Sequence, residues 1–119
     1  MDLGSFSVSL VVKDIEASTK FYEHLGFEVI DGQFNYDDQI KLEPGQYWVM
    51  MQNGEAKLGL FQGMFDENIM TWNPPDARAI QSHLKENGVP IDFEATGFDG
   101  PATVMLKDPD GNQIMLDQY

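Results

Sequence analysis

A chain of 119 residues with 42% apolar side chains is one ordinary domain, long enough to bury a continuous core without covalent staples. Its net charge of −13, from 20 acidic residues against seven Lys plus Arg, removes the clustered cations on which nucleic-acid binding rests, and the absence of Cys removes disulfides, thiolate metal sites and a thiol nucleophile. Met1 to Ser5 form no basic or apolar leader and no apolar run approaches a membrane span, so the expectation is a soluble, cytoplasmic protein with neither nucleic-acid nor membrane partners.

Ser5 to Lys13 alternate as a strand, with Val8, Leu10 and Val12 on one face and Ser7, Ser9 and Val11 on the other. Asp14 caps a helix whose apolar stripe is Ile15, Thr19, Tyr22 and Leu25, with Phe21 beside it and Gly26 ending it. Phe27 to Ile30 reads as a second strand. Asp31 to Gly45, with turn signals at Asp31-Gly32 and Pro44-Gly45, reads as a loop with room for a short strand at Gln39 to Glu43. Tyr47 to Gln52 and Lys57 to Gln62 flank Asn53-Gly54, the signature of a tight hairpin. A two- or four-residue loop puts Trp48 and Met50 on one face with Gly59 and Phe61; a three-residue loop reverses this. Asn68 to Asn73 opens the next stretch as a strand, and Asp76 caps a helix to about Asn87, anchored by Ile80 and Leu84. Strands at Ile91 to Thr96, Ala102 to Lys107 and Asn112 to Gln118 follow, the last two joined by a type I turn at Asp108-Pro109-Asp110-Gly111.

The two halves repeat one another. A Gly stands twelve positions after the helix-capping Asp in both, at Asp14/Gly26 and Asp76/Gly88, an offset of 62 residues. Each half reads βαβββ, which predicts a single α+β domain of two modules, about residues 5–65 and 66–119, with helices outside curved mixed sheets and a cleft between modules as the natural ligand site. The two His offer little chemistry: His24 falls opposite the apolar stripe of its helix, and His83, beside Ile80 and Leu84, reads as a partly buried structural residue. There is no Gly-rich phosphate loop, and no nucleophile, base and orienting group can be assembled, so no catalytic residue is assigned.

The run VSLVVKDIEASTKFYEHLGFEV (Val8 to Val29), the paired modules and the closing VMLKDPDGNQIML (Val104 to Leu116) resemble the vicinal oxygen chelate superfamily, which includes glyoxalase I, extradiol dioxygenases and bleomycin resistance proteins. The resemblance implies a cup between the modules in which metal-dependent members hold a divalent ion on four strands. The corresponding positions are Ser7, Gly59, Ile69 and Met115. Ile and Gly supply no side-chain donor, Met is too soft for the family's hard ions and Ser is weak, so no metal cofactor is expected. By alternation the cup is lined by Ser7, Ser9, Trp48, Met50, Phe61, Ile69, Thr71, Met115 and Asp117. Trp48 and Asp117 suit a flat aromatic ring or an organic cation, as in bleomycin resistance proteins, which sequester a cationic drug without chemistry. The expectation is a metal-independent protein that sequesters or senses a small aromatic or cationic compound, with a homodimer implied by the resemblance. The alternatives are a metal-dependent lyase or dioxygenase with ligands displaced toward Asp117 and Glu67, or an isomerase using Asp117 as base.

Overall fold

The computed structural model describes residues 1–33 and 45–119, so the expected strand at Gln39 to Glu43 lies outside the described residues. Among the described residues two helices and seven strands make an α+β fold, and the chain divides into two compact units, one of Ser7–Asn68 and one of Met1–Phe6 with Ile69–Tyr119.

The first unit carries β1 (Ser5–Val11, from Ser7 onward), α1 (Ile15–His24), β2 (Glu28–Gln33), β3 (Tyr47–Asn53) and β4 (Ala56–Gln62). Its strands lie in the order β2-β3-β4-β1, with β1 parallel to β4 and the other pairs antiparallel. Asp14 caps α1 by accepting from the Ala17 amide. Gln62, at the end of β4, accepts from the Ile15 amide and satisfies a second open donor of the first turn. The helix ends in a Schellman motif: Phe27 N donates to Tyr22 O and Gly26 N to Glu23 O, with Gly26 at φ 95° and the Tyr22 and Phe27 rings 5.8 Å apart. Ile15, Val49, Met51 and Leu60 form the buried core between α1 and the sheet. Phe21 and Leu25, expected on or beside the buried stripe, are instead exposed, because the stripe runs out toward the end of the helix where only Tyr22 still reaches the core.

The β3–β4 hairpin pairs Asn53 with Ala56, so its two-residue loop is Gly54-Glu55 rather than Asn53-Gly54. Among the described residues only glycines have positive φ; Gly54, at φ 59°, therefore takes the first central position alone, the pattern of a Gly-X turn. β2 runs three residues past the expected Ile30, through an irregularity between Val29 and Asp31.

The second unit repeats this plan with β5 (Ile69–Asn73), α2 (Ala77–Glu86), β6 (Ala102–Lys107) and β7 (Gln113–Gln118) in the order β5-β7-β6, β5 parallel and β6 antiparallel to β7. Asp76 accepts from Ala79 N, Gln118 from Ala77 N, and Val89 N and Gly88 N close a second Schellman motif on Leu84 O and Lys85 O. Ala77, Ile80, Ala102, Val104, Leu106 and Leu116 are its buried core. His83 is exposed, not partly buried: it stands about 90° around the helix from the middle of the Ala77, Ile80 and Leu84 stripe.

The expected strand at Ile91 to Thr96 shrinks to a single bridge, Phe93 with Met105. Side chains of α2 take the backbone groups that a longer ladder would use. Gln81 exchanges two hydrogen bonds with Ala95, and the Arg78 guanidinium donates to the carbonyls of Thr96, Gly100 and Pro101. In the closing turn Gly111 N donates to Asp108 O as a type I turn requires, but the loop has three residues, Pro109 to Gly111: Asp108 N donates to Asn112 O, and the Asp108 carboxylate accepts from the Asn112 amide and Nδ2.

Candidate functional site

In the first unit, α1 covers the sheet face carrying Leu10, Val49, Met51 and Leu60, and strand alternation puts Ser7, Ser9, Trp48, Met50 and Phe61 on the opposite face. Ser9 and Met50 flank Gly59 from either side, and Trp48 stands opposite Phe61. Ser7 and Ser9 are buried, whereas Trp48, Met50 and Phe61 are half-buried. Phe65, which the sequence did not single out, joins this surface with its ring 5.0 Å from that of Phe61. The Trp48 ring lies directly over Gly32, where a Cβ would come within 2.7 Å of Cε3; Gly32 also has φ 82°, so both space and backbone conformation require glycine.

The second unit is arranged alike. α2 covers Val104, Leu106 and Leu116, and the opposite face carries Ile69, Thr71, Met115 and Asp117. Thr71 and Met105 flank Met115, Phe93 bridges to Met105, and Thr103 pairs with Asp117. Ile69 and Thr71 are buried; Met115 and Asp117 are half-buried. The Thr103 hydroxyl donates to Asp117 Oδ1 at 3.5 Å, and Asn73 Nδ2 donates to the Asp117 main-chain oxygen. Desolvation pushes the Asp117 carboxyl above its ordinary value, opposed by the Thr103 hydrogen bond. Thr103, Met105 and Phe93 were absent from the residues expected of the site, although alternation along Ala102 to Lys107 signals the first two once the hairpin register is known.

The metal-ligand positions fail a fit test on this geometry. A Cβ built on Gly59 would lie 2.5 Å from Phe61 Cε2 and 3.0 Å from Met50 Sδ, so the space of a ligating side chain is already filled by a ring and a thioether. Ile69 is a buried hydrocarbon and Met115 a thioether, a donor set unsuited to a hard divalent ion. Among the described residues no three of His, Cys, Asp and Glu come together as ligands, and no helix is long and apolar enough to cross a membrane. Concave surface also occurs away from these faces: an open pocket of about 670 Å³ in the second unit is walled by Val89, Leu106, Pro109 and Ile114.

Solved structures share this fold at low identity. A glyoxalase/bleomycin resistance protein/dioxygenase superfamily member from Vibrio splendidus is 20% identical, with TM-score 0.62 over 95% of this chain and 96% of that one. A methylmalonyl-CoA epimerase of Streptomyces coelicolor in complex with 2-nitronate-propionyl-CoA is 17% identical, with TM-score 0.68 over 98% and 95% of the two chains. The methylmalonyl-CoA epimerase of Mycobacterium tuberculosis is 18% identical, with TM-score 0.62 over 98% and 87%. No curated protein sequence matches this chain. The profile of one family does match, over residues 4–116, and with the fold it establishes that the chain belongs to the glyoxalase/bleomycin resistance protein/dioxygenase superfamily.

Proposed function

We propose that this chain is a metal-independent member of the superfamily that binds a small aromatic or cationic compound, sequestering or sensing it, and that it works as a cytoplasmic homodimer. The observation that carries the reading is Gly59: where a metal-dependent member would present a ligand, Phe61 and Met50 fill the space, and Trp48 and Phe65 extend the same aromatic and thioether surface. Such a surface with a few polar groups is the composition of a small-molecule site. Sequestration of a toxic or antibiotic compound is the simplest use of a binder without chemistry.

A second reading, an isomerase that moves a proton on a carbon acid, is favoured by Asp117, whose raised pKa moves it toward that of a useful base. Epimerases acting on methylmalonyl-CoA have similar folds, which makes acyl thioesters the first carbon acids to try.

The test is metal analysis of protein purified without chelator, followed by thermal melts with EDTA, with divalent ions and with a panel of aromatic amines and dyes. The binding reading expects no stoichiometric metal, no response to EDTA and stabilisation by about 2.7 kcal/mol when a true ligand stands at a hundredfold its Kd. Trp48→Ala should abolish that gain. Stoichiometric metal with chelator-sensitive melting overturns the reading, and deuterium uptake from solvent into an acyl-CoA thioester replaces it with the second.

A further inference from the structure

We propose that Asp117 and Thr103 form the subsite that receives a protonated amine of the ligand, an assignment that rests on the small-molecule reading above. Asp117 is a half-buried carboxylate beside Thr103, Met105 and Met115, on a face that also carries Thr71, Lys107 and Gln113, and among the described residues no cation pairs with it. The cations of its own unit are committed elsewhere. Lys107, on the same face of β6 but four residues from Thr103, is paired with Asp92; Lys85 is paired with Glu94; the Arg78 guanidinium is spent on main-chain carbonyls. From β5, Asn73 donates to the main-chain oxygen of Asp117 and not to its carboxylate, and α2 lies on the other side of the sheet.

One carboxylate and one hydroxyl supply at most three of the six or more oxygens that Ca²⁺ or Mg²⁺ takes, leaving the rest of the shell to water. They suit an ammonium group: the carboxylate accepts a charge-assisted hydrogen bond, and the Thr103 hydroxyl, which donates to Asp117 Oδ1, still has lone pairs to accept a second. Met105 and Met115, paired with each other one step along the same face, are soft, polarisable partners for the alkyl or aromatic body carrying the nitrogen. Burial already disfavours the unpaired carboxylate, so a bound cation relieves a cost present in the free protein. The net charge of −13 concentrates cations around the molecule.

The experiment titrates the full chain at pH 7 with benzylamine, its neutral counterpart benzyl alcohol and the anion benzoate, following backbone amides by NMR. Benzylamine should shift Thr103, Met105, Met115 and Asp117 and bind at least tenfold more tightly than benzyl alcohol, and benzoate should leave these amides unmoved. Asp117→Asn should make amine and alcohol equivalent. Thr103→Val, which keeps the charge, should weaken the amine severalfold. Equal affinity of alcohol and amine, a benzylamine footprint elsewhere, or an amine preference that survives Asp117→Asn overturns the assignment and leaves the binding reading standing. Silence with all three probes overturns both.

Discussion

Two carboxylates of one hairpin titrate in opposite directions. Asp108 gathers the Asn112 side chain and the amides of Asn112 and Asp110, which favour its charged form and lower its pKa. Its contribution to stability is present above the ordinary value of 3.8 and is lost as pH falls through the lowered one. Asp117 runs the other way: its pKa is raised, so its contribution is fully present below 3.8 and is lost as pH rises through the raised value. In the ligand-free protein Asp117→Asn should therefore raise Tm at pH 7, and the gain should stay level while pH remains above the raised value and shrink as pH falls through it toward 3.8. Thermal melts across that range check it; a gain independent of pH would point to packing. Counting strand positions from the sequence puts Asp117 on one face with Met115, as the register has it, but could not pair it with Thr103. Starting the last strand at Asn112 slips the pairing by one and turns Thr103 to the wrong face. What moves the register is the third loop residue, Gly111 at φ 87°, which makes Asn112 and not Gly111 the residue facing Asp108, and no alternation pattern records it.

At the level of elements, both helices were legible because their ends are chemical signals: an Asp that caps, a Gly that accepts the left-handed conformation, and an apolar residue beyond it that closes onto the third residue from the end. Gln62 and Gln118, which cap the same helices from strand ends 47 and 41 residues away, were not legible, since their roles depend on tertiary placement. The missing strand at Ile91 to Thr96 fails for a related reason. Its apolar alternation is genuine, but Arg78 and Gln81 compete for its backbone from the helix side. Arg78→Met should release the 96–101 loop, with a loss of about 1–2 kcal/mol in urea unfolding. The Phe93 and Met105 amides, bonded to each other's carbonyls, should keep their protection in hydrogen exchange. Equal loss of protection at Met105 would show that Arg78 also sustains the bridge.

Across the whole chain, the internal repeat was the strongest message of the sequence, and the two units do share a plan in which the first strand lies parallel to the last and the helix covers one face. The charge imbalance also acts at this scale. Seven cations cannot neutralise twenty anions, and the ion pairs among the described residues are all exposed, where each is worth little and is screened. Repulsion should dominate, so raising NaCl from about 10 to 150 mM should raise Tm by roughly 4 °C. A fall with salt would show that attractive pairs outweigh the net charge. The one-residue bridge at Phe93 has its own effect on how the protein behaves in a crowded solution. β6 ends the strand order of its unit, and an outermost strand with open amides and carbonyls is a template on which another chain can grow a sheet. With Phe93 bonded to the middle of β6 and Pro101 just ahead of its first residue, that template is interrupted at its centre and closed at its start, a guard against fibrillar self-association that takes one contact instead of a full strand.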